Sequence, residues 1–121
     1  MRIAIVGSRG YRRMDQVVEY VKNLPKDTIV VSGGARGVDR VAVLAARRFG
    51  IATEVYLAQW DKDGNQAGFI RNTEMLERCD HVVAFWDGHS HGTLHMAQIA
   101  RRAEKLMSMY GPEGGEMTMI V

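Results

Sequence analysis

Five short apolar runs, each followed by glycine or polar residues and most separated by a helical pattern, constrain this chain more than any other feature. They cover residues 3–6, 28–31, 51–57, 81–86 and 117–121. The first (Ile3, Ala4, Ile5, Val6) and the centre of the fourth (Val82, Val83, Ala84, Phe85) are continuously apolar, as strands buried on both faces are. Between the runs, apolar residues recur at helical spacing. Val17, Val18, Val21 and Leu24 precede Pro25, and Val38, Val41 and Ala45 precede Gly50. A third helical stretch is read over residues 67–78. Met96, Ala100, Ala103 and Met107 lie on one stripe of a helix read from Thr93 to about Met109. This alternation predicts an α/β fold with a parallel sheet and helices on both faces. Right-handed crossovers leave few topologies. The expected one is a Rossmann-like open sheet of about five strands in the order 3-2-1-4-5, forming one domain over residues 1–121. The polar pair Thr53 and Glu54 puts the third strand near an edge.

Ligands of open α/β sheets bind outside the carboxyl ends of the strands, where the strand order reverses. Four loops are expected on that edge: residues 7–10, 32–37, 58–66 and 87–92. The second is the richest. Gly33, Gly34 and Gly37 fall at a strand-to-helix junction, with Ser32 before them and Ala35 and Arg36 between them. Glycine there permits positive φ and close approach of another group. The helix start that follows offers unpaired N–H groups to an anion. Arg36 can fork onto phosphate oxygens. Asp39, in the first helical turn, can reach a ribose hydroxyl or cap the helix. A tight turn chosen for geometry alone is the alternative.

Composition narrows the class. The 121 residues are 46% hydrophobic and 25% charged, ordinary for a soluble globular chain. A net charge of +2 argues against non-specific nucleic-acid binding. Cys79 is the single cysteine, so no intrachain disulfide forms and a reducing compartment is expected. No apolar run is long enough to span a bilayer. The opening residues enter a strand pattern without a signal-peptide core or cleavage site. A cytoplasmic protein with no membrane partner is expected.

Four motifs in register carry a family resemblance. The block Ser32 to Ala42 is similar to the SG-x-ARG-[IV]-D-xx-A loop of DNA-processing proteins of the Smf/DprA type. Gly7, Ser8 and Arg9 resemble a G-S-R loop after the first strand, and Arg71, Asn72 and Met75 an R-[KN]-xx-M helix motif. Asp87, Gly88, Ser90, Gly92 and Thr93 resemble a G-x-S-x-GT loop, the counterpart of the P-GG-x-GT loop of the Lonely Guy phosphoribohydrolases. Trp60, Gly64, Ala67 and Gly68 fit a W-xxx-G-xx-AG pattern of small YspA-like members. The chain thus resembles the SLOG superfamily over residues 3 to about 107. That resemblance implies a Rossmann-like domain that binds or senses a nucleotide or nucleotide-derived ligand, NAD- or ADP-ribose-related ligands included. It needs no further cofactor. A Lonely Guy-type nucleotide phosphoribohydrolase is the enzyme alternative, and a DNA-processing accessory protein the second alternative.

One departure bears on catalysis. The Lonely Guy loop reads GT-xx-E, and here Met96 stands where the glutamate should. A thioether can neither accept a proton nor stabilise an oxocarbenium ion as a carboxylate does. Binding without release of free base is therefore expected, with His95, Glu74 and Arg71 the candidates if turnover occurs. Trp60 either covers the core or stacks on a base. Arg9 is a surface arginine or a ligand contact. Ser90 and Thr93 can cap the last helix and hold phosphate together. His89, His91 and His95 lack the further ligands a zinc site needs. Asp61, Asp63 and Asn65 lack the glycine and glutamate of a calcium loop, so no metal site is expected. Phe69, Ile70, Leu76, Leu94, Ile99 and Leu106 exceed one stripe on their helices, which points to a homodimer or higher homo-oligomer.

Overall fold

The computed structural model describes residues 1–118. Five strands form one parallel sheet in the order β3-β2-β1-β4-β5. They are β1 (Arg2–Gly7), β2 (Ile29–Ser32), β3 (Ala52–Val55), β4 (His81–Phe85) and β5 (Leu106–Tyr110). The helices are α1 (Met14–Lys22), α2 (Val38–Arg48), α3 (Trp60–Asp63), α4 (Ala67–Arg78) and α5 (His91–Arg102). The Rossmann-like α/β architecture and its strand order are those read from the sequence.

Because side chains alternate along a strand, β1 feeds two cores. Ile3 and Ile5 pack with Val17 and Val21 of α1 and Val38, Ala42 and Ala46 of α2. Ala4 and Val6 pack on the opposite face with Met75 of α4 and Met96, Ala97 and Ala100 of α5. Phe85 is fully buried, stacked on Tyr110 and met edge-on by Tyr11 and Tyr20. That aromatic group closes the α1 side of the sheet.

Three expectations fail. The last helix stops at Arg102, not near Met109, because Glu104 turns to φ +58° and Lys105 N–H closes on the Ala100 carbonyl. Residues beyond it, Met107 and Leu106 among them, become β5, paired to β4. The fifth place in the sheet, expected for a strand over residues 117–121, is taken by β5. Met117 donates to the Met109 carbonyl and Glu116 forms an isolated antiparallel bridge with Tyr110. Residues 119–121 lie outside the described residues. The loop expected over residues 58–66 instead holds α3 and a 3-10 turn, Gly64–Gln66. Leu106 is accordingly a strand residue, while Phe69 and Ile70 stand exposed on α4 and Leu76, Leu94 and Ile99 are half-buried. Among the described residues, no helix is long and apolar enough to cross a membrane.

Candidate functional site

A cavity of about 400 Å³ opens at the carboxyl edge of the sheet, beside the switch point between β1 and β4. Its walls bring together Gly7, Arg9, Ala35, Arg36, Asp39, Trp60, Arg71, Asn72, Ser90, Gly92 and Thr93, all expected from the sequence. Val6, Asn65, Gly68, Phe69, Met75 and Met96 complete the lining. Phe69, expected from the sequence at an oligomer surface, was missed as a site residue; its spacing of three from Asn72, which puts both on one face of α4, was the signal that could have found it. Asn65 carried no signal beyond its place in a loop on the ligand edge.

Ser8, Ser32, Gly33, Gly34, Gly37, Asp87 and Gly88 lie outside that lining, and most of them build the loops instead. Ser8 is buried; its Oγ accepts the Asp87 N–H at 3.1 Å and donates to Thr93 Oγ1 at 3.3 Å. It ties the loop after β1 to the start of α5. Gly37, at φ +87°, lets the loop after β2 press on the loop after β1. A Cβ there would sit 2.5 Å from Arg9 Cα. The Gly33 carbonyl accepts Arg71 Nη1 at 2.6 Å, and a side chain at Gly33 would run into that guanidinium.

The N–H groups of residues 33–35 have internal acceptors. Ser32 Oγ takes the Gly34 N–H at 3.1 Å. Asp39 Oδ2 takes the Ala35 N–H at 3.3 Å, and the carboxyl also faces the N–H groups of Gly33 and Gly7. Asp39 thus occupies the anion position of its own loop. Burial pushes its pKa up to about 6, against the pull of Arg71 and these N–H groups. A phosphate seated on residues 33–35 would meet this carboxyl.

The start of α5 is different. Asp87 Oδ1 accepts the N–H groups of His89 and Ser90, each at 2.8 Å, and shapes the loop. Burial would raise the Asp87 pKa, but those donors hold it below the usual carboxylate range. Ser90 caps α5, its Oγ accepting the Thr93 N–H at 3.4 Å. The next two N–H groups, of His91 and Gly92, have no intrahelical acceptor. Gly92 lines the cavity and has no neighbour within 4 Å of where a Cβ would stand. Asn72, nearly buried, fixes this turn from α4. Its Nδ2 lies 3.2 Å from both the Gly92 carbonyl and His95 Nδ1. With Asn72 as donor, His95 carries its proton on Nε2.

The catalytic candidates part company here. Arg71 lines the cavity. His95 stands behind Phe69, ring centroids 4.5 Å apart, and burial lowers its pKa. Glu74 is exposed and outside the lining. Met96, 1% exposed, forms part of the apolar floor. Among the described residues, no three His, Cys, Asp or Glu side chains gather to hold a metal ion.

Comparisons with known proteins bear on fold and family. The profile of the YspA, cpYpsA-related SLOG family matches residues 1–62. The Gene 61 protein of Mycobacterium phage D29 is 33% identical over 112 residues, with 84% of this chain and 90% of the phage protein covered. DNA processing protein A of Streptococcus pneumoniae superposes with a TM-score of 0.75 at 20% identity, over 91% of this chain and 49% of that one. DNA processing protein A of Helicobacter pylori, described for its single-stranded DNA binding mode, does so with a TM-score of 0.58 at 20% identity, over 92% and 64%. The chain therefore spans about half to two thirds of these structures, and at that identity they share its fold. They also correct the expectation that argued against a nucleic-acid partner. The Helicobacter protein binds single-stranded DNA, and a net charge of +2 says nothing of where charges lie. Arg9, Arg12, Arg13, Arg36 and Arg40 are all exposed around the loops after β1 and β2.

Proposed function

Because the chain belongs to the YspA, cpYpsA-related SLOG family, we propose that its cavity binds a phosphate-bearing nucleotide unit. The observation that carries this reading is the start of α5. Two N–H groups without intrahelical acceptors lie beside the hydroxyls of Ser90 and Thr93, in a cavity that also holds Arg71, Arg9 and Arg36. Helix starts of this kind favour anions through their N–H groups and partial positive charge. The phosphate belongs there and not on residues 33–35, whose donors serve Asp39 and Ser32. Asp39 then faces the sugar, where a carboxyl accepts hydroxyl hydrogens. Met96 supplies no proton and no charge, so the reading is binding without cleavage of the glycosidic bond.

Calorimetry with AMP, ribose 5-phosphate and inorganic phosphate tests it, together with mass spectrometry of small molecules released from the purified protein. Arg71→Ala should weaken AMP by about 1.5–3 kcal/mol, the worth of a charge-assisted hydrogen bond. Unchanged affinity in a variant with native circular dichroism would refute the site.

A second reading rests on the exposed arginines beyond the cavity: the nucleotide can be the end of a single strand, its further phosphates lying along Arg12 and Arg40. An oligonucleotide that outcompetes AMP, with affinity falling steeply as salt rises, favours it.

A further inference from the structure

We infer that Trp60, Phe69 and Asn65 form a subsite for a planar nucleobase, on the side of the cavity built by α3, the 3-10 turn and the first turn of α4. The inference rests on the phosphate-site reading above and extends it to the rest of the ligand. Trp60 is 60% exposed although it lines the cavity, so much of its ring is uncovered. The tip of that ring, Cη2, lies 3.6 Å from where a Cβ of Gly68 would stand. Gly68 has no side chain to insert between the indole and the cavity. Phe69, 39% exposed, enters the same wall with its ring held against His95. His95 is in turn held by Asn72, the residue that fixes the Gly92 turn. One chain of contacts therefore sets the distance between the aromatic wall and the phosphate donors.

Asn65 supplies the polar element. It lines the cavity beside this wall, and its exposed side-chain amide is open to an incoming group. An amide offers one acceptor and two donors. It matches the adjacent donor and acceptor on the edge of a base, while a sugar phosphate without a base leaves it empty. Stacking on an aromatic ring is tolerant of base identity because every base has a π-face. The occupant is therefore a nucleotide base of either class, oriented by Asn65, and not a bare sugar phosphate.

The test compares three probes on the intact chain: AMP, ribose 5-phosphate and inorganic phosphate, by calorimetry and by tryptophan fluorescence. AMP should bind roughly 5–150-fold tighter than ribose 5-phosphate, the gain typical of stacking one base. It should also quench tryptophan emission, whereas ribose 5-phosphate should not. Trp60→Ala should remove most of the AMP advantage and leave ribose 5-phosphate within about twofold. Trp60→Phe should restore part of the advantage, and Asn65→Ala should lower AMP affinity alone. Equal binding of AMP and ribose 5-phosphate by the native protein overturns the base subsite and leaves the phosphate site standing. So does a Trp60→Ala variant that weakens both probes alike. Binding of none of the three overturns both readings.

Discussion

Gly37→Ala probes the contact on which the geometry of the cavity mouth depends. Gly37 sits at φ +87°, ψ −129°, a region that residues with a Cβ rarely enter. Holding alanine there costs roughly 1–3 kcal/mol. Its Cβ would also fall 2.5 Å from Arg9 Cα and 2.8 Å from the carbonyl oxygens of Ser8 and Arg9. All three are backbone atoms, so no side chain can swing aside, and such overpacking adds about 1–3 kcal/mol. The combined loss, about 2–6 kcal/mol, is a large part of the roughly 6–18 kcal/mol expected for a chain of this length. Gly50→Ala is the matched control. Gly50 has φ +75° but nothing within 4 Å of its Cβ position, so it reports backbone strain alone, about 1–2 kcal/mol. Urea denaturation followed by circular dichroism, with the m-value compared between variants, separates the two. If Gly37→Ala costs no more than Gly50→Ala, the two loops do not bear on one another and the argument for their packing fails.

Three further predictions concern single side chains. Asp39 has a folded pKa of about 6, above its ordinary 3.8, so the native state binds the extra proton. Its contribution to stability is greatest at low pH and is lost as pH rises from about 4 through 6, by about 3 kcal/mol. Urea titrations at several pH values should show that slope in the native protein and not in Asp39→Asn; parallel slopes would count against it. Asn72→Ala leaves the Gly92 carbonyl and His95 Nδ1 without their donor. It should cost about 1–3 kcal/mol in thermal or urea unfolding and also weaken AMP, and a loss of neither means that α5 is positioned by other contacts. Met96→Glu restores the GT-xx-E spacing but places a carboxyl at a position 1% exposed. It should destabilise the fold by several kcal/mol, and chromatography should detect no more than trace base release from AMP. Robust release by the native protein would instead make it an enzyme.

How much was legible in the sequence depends on how local the signal was. Ile3 to Val6 and Val82 to Phe85 read as buried strands because burial on both faces leaves no polar position. The alternation of strand and helix then fixed the strand order. The end of α5 was not legible. Glu104 adopts positive φ without being glycine, and Met107 continues the helical stripe by chance, so nothing in the local pattern marks the change to a strand. The helical turns in residues 60–66 also escaped, since four residues show no periodicity. Within the site, the residues gathered at the cavity follow from loops that share one sheet edge. What Asp39 and Ser32 do does not. Whether a loop N–H waits for a ligand or bonds the loop's own side chain depends on rotamers set by tertiary packing. The exposed arginines were present in the sequence throughout, but a whole-chain charge averages them away.

The central claim is that the ligand's phosphate sits on the start of α5 and not on the glycine loop. Backbone amide NMR of the labelled protein titrated with AMP tests this directly. The account predicts the largest shifts at the His91, Gly92 and Thr93 amides, reproduced in part by inorganic phosphate, with the Gly33, Gly34 and Ala35 amides moving less. Dominant shifts at Gly33, Gly34 and Ala35, with His91 and Gly92 unmoved, would contradict it.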